Sequence, residues 1–157
     1  MMKIFIENPA DQTLVAVEDW KKVENPQSAQ LVIIQTSETT GIKIHKNLLA
    51  GRFEFKEAQE AAAGLKDFDE QGFRCPTRRE CLDIYDARFQ GLDEALELIG
   101  GERLDNNWIW TCEEDPDPEY SSYNAFVFNG NYGGLDDSNR KVNSYSVRPV
   151  TALQFVK

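Results

Sequence analysis

Gly72-Phe73-Arg74-Cys75-Pro76-Thr77-Arg78-Arg79-Glu80-Cys81 is the stretch from which the fold of the chain can be read. Within it, Pro76-Thr77-Arg78-Arg79-Glu80 carries the pattern of a capping box. The Thr77 hydroxyl can accept from the backbone N–H of residue 80, while the Glu80 carboxylate reaches back to the N–H of residue 77. A helix is therefore expected to start here, and its apolar positions Cys81, Leu82, Ile84, Tyr85 and Phe89 continue towards Gly91. Upstream, Phe55, Ala58, Ala62 and Leu65 recur at helical spacing and line one face of an earlier helix over residues 55 to 65. Downstream, a further short helix runs from about Asp93 to the Gly100-Gly101 stop.

Either side of these helices the pattern is that of strands. Lys3 to Ile6, Leu14 to Val17, Leu31 to Gln35 and Ile42 to Ile44 are short apolar runs. They are separated by Asn8-Pro9, Asn25-Pro26 and the polar run ending at Gly41, and an antiparallel meander is the simplest connection between them. In the last third, Trp108 to Cys112, Asn124 to Phe128 and Tyr145 to Val150 read as strands joined by two long loops, 113–122 and 129–143. Helices set between runs of strands with long connections point to an α+β domain of two or three helices. No repeat or linker divides residues 1–157, which read as a single domain.

The bulk numbers bound what such a domain can do. With 27 acidic and 17 basic residues the net charge is −10, which repels polyanions and argues against nucleic acid as a partner. No run approaches the roughly 18 apolar residues of a membrane span, so membrane insertion is not expected. The start, MMKIFIENPADQ, lacks the features of a signal peptide, so a cytoplasmic protein is expected. Cys75, Cys81 and Cys112 are odd in number and have no CxxC spacing, so three buried, reduced thiols are the simplest expectation.

Three stretches, in order, resemble the family named after the C-terminal domain of the Legionella collagen-like adhesin. Residues 72–81, quoted above, are similar to that family's W-R-L-P-T-x-x-E-L motif, with Phe73 as the aromatic and Cys75 and Cys81 at the leucine positions. Ile109-Trp110-Thr111-Cys112-Glu113-Glu114 looks like its Y-W-S-S-T-E strand, with Cys112 and Glu113 departing from serine and threonine. Tyr145-Ser146-Val147-Arg148-Pro149-Val150 looks like its closing x-x-V-R-P-V. The resemblance covers residues 53–155 and leaves the strand-rich first 50 residues unplaced. It implies a C-type-lectin-like fold, which is shared with formylglycine-generating enzymes and with variable receptor-binding proteins of some phages. Members of the family are uncharacterised or adhesin-like.

On physical grounds the motif residues Arg74, Pro76, Thr77, Glu80, Trp110 and Arg148 belong to the framework. Both arginines sit beside prolines in segments expected to be largely buried, where a guanidinium needs backbone carbonyls or an acid as acceptors. Trp110 is expected to fill the core. An enzymatic reading finds little support. His45 is the lone histidine, in a KIHK context that suggests a half-exposed strand position, and no GxSxG, HExxH or P-loop pattern is present. Cys75 and Cys81 are six apart across a helix start and read as packing residues.

The candidate binding residues all lie from Trp108 onward. The acidic run from Glu113 to Glu119 includes Asp115 and Asp117, and Asp136 and Asp137 could join them only if the two loops meet. Calcium would suit such a set, yet the Glu-Pro-Asn and Trp-Asn-Asp triplets of sugar-binding lectins are absent, and neither a metal nor a cofactor is expected. Trp108, Tyr120, Tyr123, Asn129, Asn131 and Tyr132 form an aromatic and amide set of the kind adaptable recognition loops use. The expected function is a non-enzymatic recognition module for a protein or carbohydrate ligand. A virion or tail component for host attachment is the alternative, and an enzyme of formylglycine-generating type ranks last.

Overall fold

The β-branched runs of the first 50 residues do pair with one another, as such side chains favour. The computed structural model describes residues 2–20, 28–65, 72–104 and 107–155, so the Asn25-Pro26 breaker lies outside the described residues. Strands β1 (Lys3–Glu7), β2 (Leu14–Ala16), β3 (Leu31–Gln35), β4 (Thr40–His45) and β8 (Val150–Gln154) form an antiparallel sheet in the order β2-β1-β3-β4-β8. This corrects the expected meander. The chain leaves β2 through a single helical turn, α1 (Val17–Trp20), which buries Trp20 in the core, and β3 then returns to the opposite side of β1.

Strand β3 is an unbroken apolar run because both of its faces are covered. Val32 and Ile34 face a core shared with Ile6, Ile42, Ile44 and Val150 and with the inner sides of α3 (Arg78–Arg88) and α4 (Leu92–Leu98). Leu31 and Ile33 face the other way, onto Phe73. A second sheet, β5-β6-β7, consists of Trp108–Glu114, Asn124–Asn129 and Gly134–Arg140. Helix α2 (Phe55–Ala63) meets it through Phe55, Ala58 and Ala62, which pack with Trp110, Ala125 and Val127. Trp110 is fully buried, stands edge-on to the rings of Phe55 and Tyr145, and donates its indole N–H to the Phe53 carbonyl at 2.7 Å. The molecule is thus mixed α+β, with four helices among the described residues where two or three were expected.

Several expectations need correcting. Most of the 129–143 loop is the strand β7, whose sequence GLDDSNR is polar because it is an edge strand. Residues 145–150 are not a strand. Tyr145 and Ser146 make single bridges to Phe53 and Ile109, Pro149 has no N–H to give a ladder, and regular pairing begins at Val150. His45 is buried rather than half-exposed, with its Nδ1 in contact with the Asn47 backbone. Leu82 on α3 and Phe89 at its C-terminal cap do not face the core, and Phe89 is 73% exposed.

The framework residues make most of the contacts their chemistry requires, with Arg148 Nε buried and without a hydrogen-bond partner among the described residues. Thr77 Oγ1 accepts from the Glu80 N–H at 3.1 Å, and Glu80 Oε1 accepts from the Thr77 N–H at 2.9 Å, so the capping box is complete. The same carboxylate takes both terminal nitrogens of Arg74, at 2.5 and 2.8 Å; Arg74 is half-buried, less so than expected. Arg148 is 1% exposed and donates to four carbonyls: His45 (3.1 Å), Lys46 (2.6 Å), Glu102 (2.9 Å) and Arg103 (3.3 Å). Burial pushes its guanidinium down to about 10, which leaves it charged at neutral pH.

The cap yields a direct test. Thr77→Ala is expected to cost about 0.5–2 kcal/mol in equilibrium unfolding. Burial alone would raise Glu80, but Arg74 and the Thr77 N–H outweigh it and hold the carboxyl below its ordinary 4.5. Its stabilisation is therefore complete above that pH and lost as pH falls below it. The gap in stability between the native chain and Glu80→Gln should narrow on acidification.

Candidate functional site

The connection between β5 and β6 is built from short-range polar contacts. Asp115 Oδ1 accepts from the Asp117 N–H at 2.9 Å, and Asp117 Oδ1 from the Glu119 N–H at 3.0 Å, the two-residue reach by which aspartate substitutes for a turn. The Asp117 carbonyl then receives both Tyr120 and Ser121, the Tyr120 carbonyl receives Tyr123 and Asn124, and Asp115 N–H closes the loop on the Asn124 carbonyl at 3.0 Å. The segment is ordered by its own hydrogen bonds, and Asp115 is buried by them.

Opposite lies an irregularity in β7. Ala125 pairs with Asn139 and Val127 with Asp136, so β7 carries one residue more than β6 over this span. Such a bulge re-aims side chains. The exposed Asp137 lines an open cleft of about 480 Å³ together with Asp115, Pro116, Asp117, Tyr120 and Asn124. The two segments therefore do meet, which was the condition for Asp137 to join the acidic run. Among the described residues, however, no three carboxylate, thiol or imidazole groups are placed to hold one metal ion. Asn124 was not singled out in the sequence, since it reads as the first residue of a strand. Its Oδ1 is buried with no hydrogen-bond partner among the described residues.

Strand β5 also departs from regular pairing, with Trp110 opposite Val127 and Glu114 opposite Ala125. The buried Thr111 fills the gap in the ladder, donating its hydroxyl to the Phe126 carbonyl at 3.0 Å and accepting the Glu113 N–H at 3.1 Å. Glu113, a departure from the motif, uses its carboxylate on the Arg78 N–H and on Arg78 Nε, so it serves the first turn of α3. It is a framework residue and not part of the cleft.

The candidate residues do not form one surface. Asp115, Asp117, Tyr120 and Asp137 share the cleft, and Tyr123 stacks edge-on against Tyr120 with ring centres 5.8 Å apart. Asp136 is half-buried beside them on β7. Trp108, Asn131 and Tyr132 lie at the opposite end of the sheet, where Trp108 pairs with Asn129 and β6 turns into β7. There Asn129 is buried, and its Oδ1 accepts the Asn131 N–H at 2.9 Å. Tyr132 is 59% exposed and edge-on to Trp108 at 5.9 Å. Gly133 follows at φ 76°, against the ring of Tyr85 on α3, where any side chain would collide. Tyr85 in turn packs edge-on with the exposed Phe89. Tyr85 and Phe89 join this aromatic end although their sequence spacing reads as core.

The thiols are suppressed rather than activated. Burial pushes Cys75 up to about 12, and burial followed by the neighbouring Glu80 raises Cys81 well above its ordinary value. Cys112 is half-buried, where full burial was expected; burial raises it as well, against the lowering influence of Arg74.

No protein-family model and no curated protein matches the chain.

The thiolate is the reactive species, so these positions predict chemical quiet. In a labelling experiment near pH 8, only Cys112 should react with a maleimide in the folded state, and more slowly than a free thiol. Cys75 and Cys81 should react only after unfolding. Fast native labelling of Cys75 and Cys81 would contradict the packing described.

Proposed function

We propose that the chain is a non-enzymatic recognition module on a C-type-lectin-like scaffold, and that it holds its ligand in the cleft between the 115–124 connection and β7. The observation that carries this reading is the convergence of Asp115, Asp117, Tyr120 and Asp137 on one open hollow of about 480 Å³, within the usual size of a small-ligand site. Carboxylates accept hydrogen bonds from hydroxyl, ammonium and guanidinium groups, and a tyrosine ring adds an apolar face. The ligand is accordingly a carbohydrate, or a protein segment rich in hydroxyl or basic side chains, and not an anion.

The scaffold assignment is supported by where the three motifs sit. Arg74 of the first and Val150 of the third exchange backbone hydrogen bonds at 2.9 Å each way. Cys112 of the second donates to the Pro76 carbonyl of the first at 2.9 Å, and Trp110 donates to Ser146 of the third at 3.1 Å. Segments some 35 residues apart in sequence thus interlock as one unit. The suppressed thiols and the buried His45 favour recognition over catalysis.

The reading is tested by glycan-array binding together with melting curves. Tyr120→Ala and Asp137→Asn should leave the melting temperature near that of the native chain and abolish whatever array binding the native chain shows. The site is proposed to work without metal, so melting should be the same in calcium and in chelator. A tight calcium site would instead stabilise the fold by about 2.7 kcal/mol at one hundred times its dissociation constant. A calcium-dependent rise that Asp137→Asn removes would overturn the metal-free site.

A further inference from the structure

The cleft between the 115–124 connection and β7 presents acceptors and an aromatic ring, and no cation lines it. Asp115, Asp117 and Asp137 form its walls with Pro116, Tyr120 and Asn124. Asp115 and Asp117 each commit Oδ1 to a backbone N–H two residues on, which leaves Oδ2 of each without a hydrogen-bond partner among the described residues. Asp115 is only 7% exposed, so its unbonded oxygen belongs to a side chain otherwise sealed in the wall. Independently of the acids, Asn124 Oδ1 is a buried acceptor that also has no partner among the described residues.

The cations of the flanking elements are engaged elsewhere. Lys141 pairs with Glu114 at 3.2 Å and stands over the Phe55 ring, and Arg78 pairs with Glu113 at 3.1 Å. Arg140, opposite Asn124 in the β6–β7 ladder, is exposed. Among the described residues it forms no ion pair with Asp115, Asp117 or Asp137.

Three like charges in one hollow select the class of ligand. A neutral sugar lying over them would strip water from the carboxylates without supplying a countercharge, and desolvating an unpaired charge is unfavourable. A cation supplies that countercharge, and its charge-assisted hydrogen bonds are roughly twice as strong as neutral ones. Between the two cationic side chains, the ring decides. Tyr120 is partly exposed, and Tyr123 stands edge-on to it. A guanidinium is planar, stacks on an aromatic face and meets a carboxylate with parallel donors, whereas an ammonium is a compact point charge. The chain already uses this combination internally: the Arg78 guanidinium lies 4.3 Å from the centre of the Phe126 ring while its Nε donates to Glu113.

We propose that the cleft takes a guanidinium, presented as an arginine side chain on a segment of a partner protein, with its face on Tyr120 and its donors on Asp137 and the unbonded oxygens of Asp115 and Asp117. The assignment rests on the reading of this cleft as the ligand site and narrows it to one chemical class. A peptide segment suits the site better than free arginine, whose own carboxylate would enter an acidic hollow on a chain of net charge −10.

The experiment titrates the full chain with acetyl-Gly-Arg-Gly-amide and follows backbone amide shifts in NMR. The amides of Asp117, Tyr120 and Asp137 should move, with an affinity that falls as salt rises. The citrulline peptide, which keeps the shape and loses the charge, should bind roughly tenfold or more weakly. The lysine peptide should bind several-fold more weakly, and Tyr120→Leu should erase that difference. Free arginine should bind more weakly than the peptide. Asp137→Asn should weaken binding several-fold, whereas Arg140→Gln should not weaken it. Equal binding of the citrulline peptide, tighter binding of free arginine, weakening by Arg140→Gln, or shifts confined to residues outside the cleft would overturn the proposal. A glycan that moves the cleft amides in the native chain but not in Asp137→Asn, with no response to the arginine peptide, would remove the guanidinium and leave the cleft as the ligand site. If neither moves these amides, both readings fail.

Discussion

A charged group sealed from water must be given acceptors by the protein, and Arg148 imposes that demand at the centre of this fold. Its guanidinium, 1% exposed, is met by the carbonyls of His45 and Lys46 at the end of β4 and of Glu102 and Arg103 after α4. None of the four acceptors is a carboxylate, so backbone dipoles meet the positive charge at close range, and the carboxylates of Glu102 and Asp93 add attraction without bonding to it. The arrangement ties the last strand of the five-stranded sheet to the segment that enters the three-stranded one. Lys46 belongs to the same knot, with its ammonium donating to the Ile99 carbonyl at the close of α4 and its own carbonyl also receiving the Glu102 N–H. Sequence positions 45, 102 and 148 are thereby fixed relative to one another.

Around this knot the division of labour is clear. The interlocked motif residues, the cap at Thr77 and the buried Trp110 hold α3 and β5 in place. The irregular pairing of β5 and β7 on β6 frees positions that a regular ladder would have committed, and the cleft forms where those irregularities lie. The segment across the cleft is held by aspartate-centred turns rather than by core packing, so its shape is specified locally while its position is set by β5 and β6.

The local features of the fold were legible because they rest on near-neighbour chemistry. The cap at Thr77 follows from residues three apart, and the apolar runs of β1, β3 and β4 follow from composition alone. The burial of Arg148 and Trp110 was also foreseen, since a motif arginine beside proline and a motif tryptophan leave few other roles. What failed depended on distant partners. β7 is polar because it lies at a sheet edge, a position that no window of its own sequence reveals, and Val17 reads as strand until Trp20 draws the chain into the core. His45 looked half-exposed because its lysine neighbours suggested solvent, whereas all three of Lys43, His45 and Lys46 are buried with partners such as Glu7 at 2.6 Å from Lys43. Of the candidate binding residues, the four that share the cleft were identified by type, but that Trp108 and Tyr132 stand at the far end of the same sheet follows only from strand register.

The measurement that bears most directly on the central role of Arg148 is the equilibrium unfolding of Arg148→Lys. Lysine keeps the charge and part of the length but lacks the planar fork that reaches two pairs of carbonyls at once. If the fork organises the junction, the substitution should cost about 2–4 kcal/mol, the range expected when buried acceptors lose charged donors. A loss below about 0.5 kcal/mol, the level of an ordinary surface change, would contradict the account.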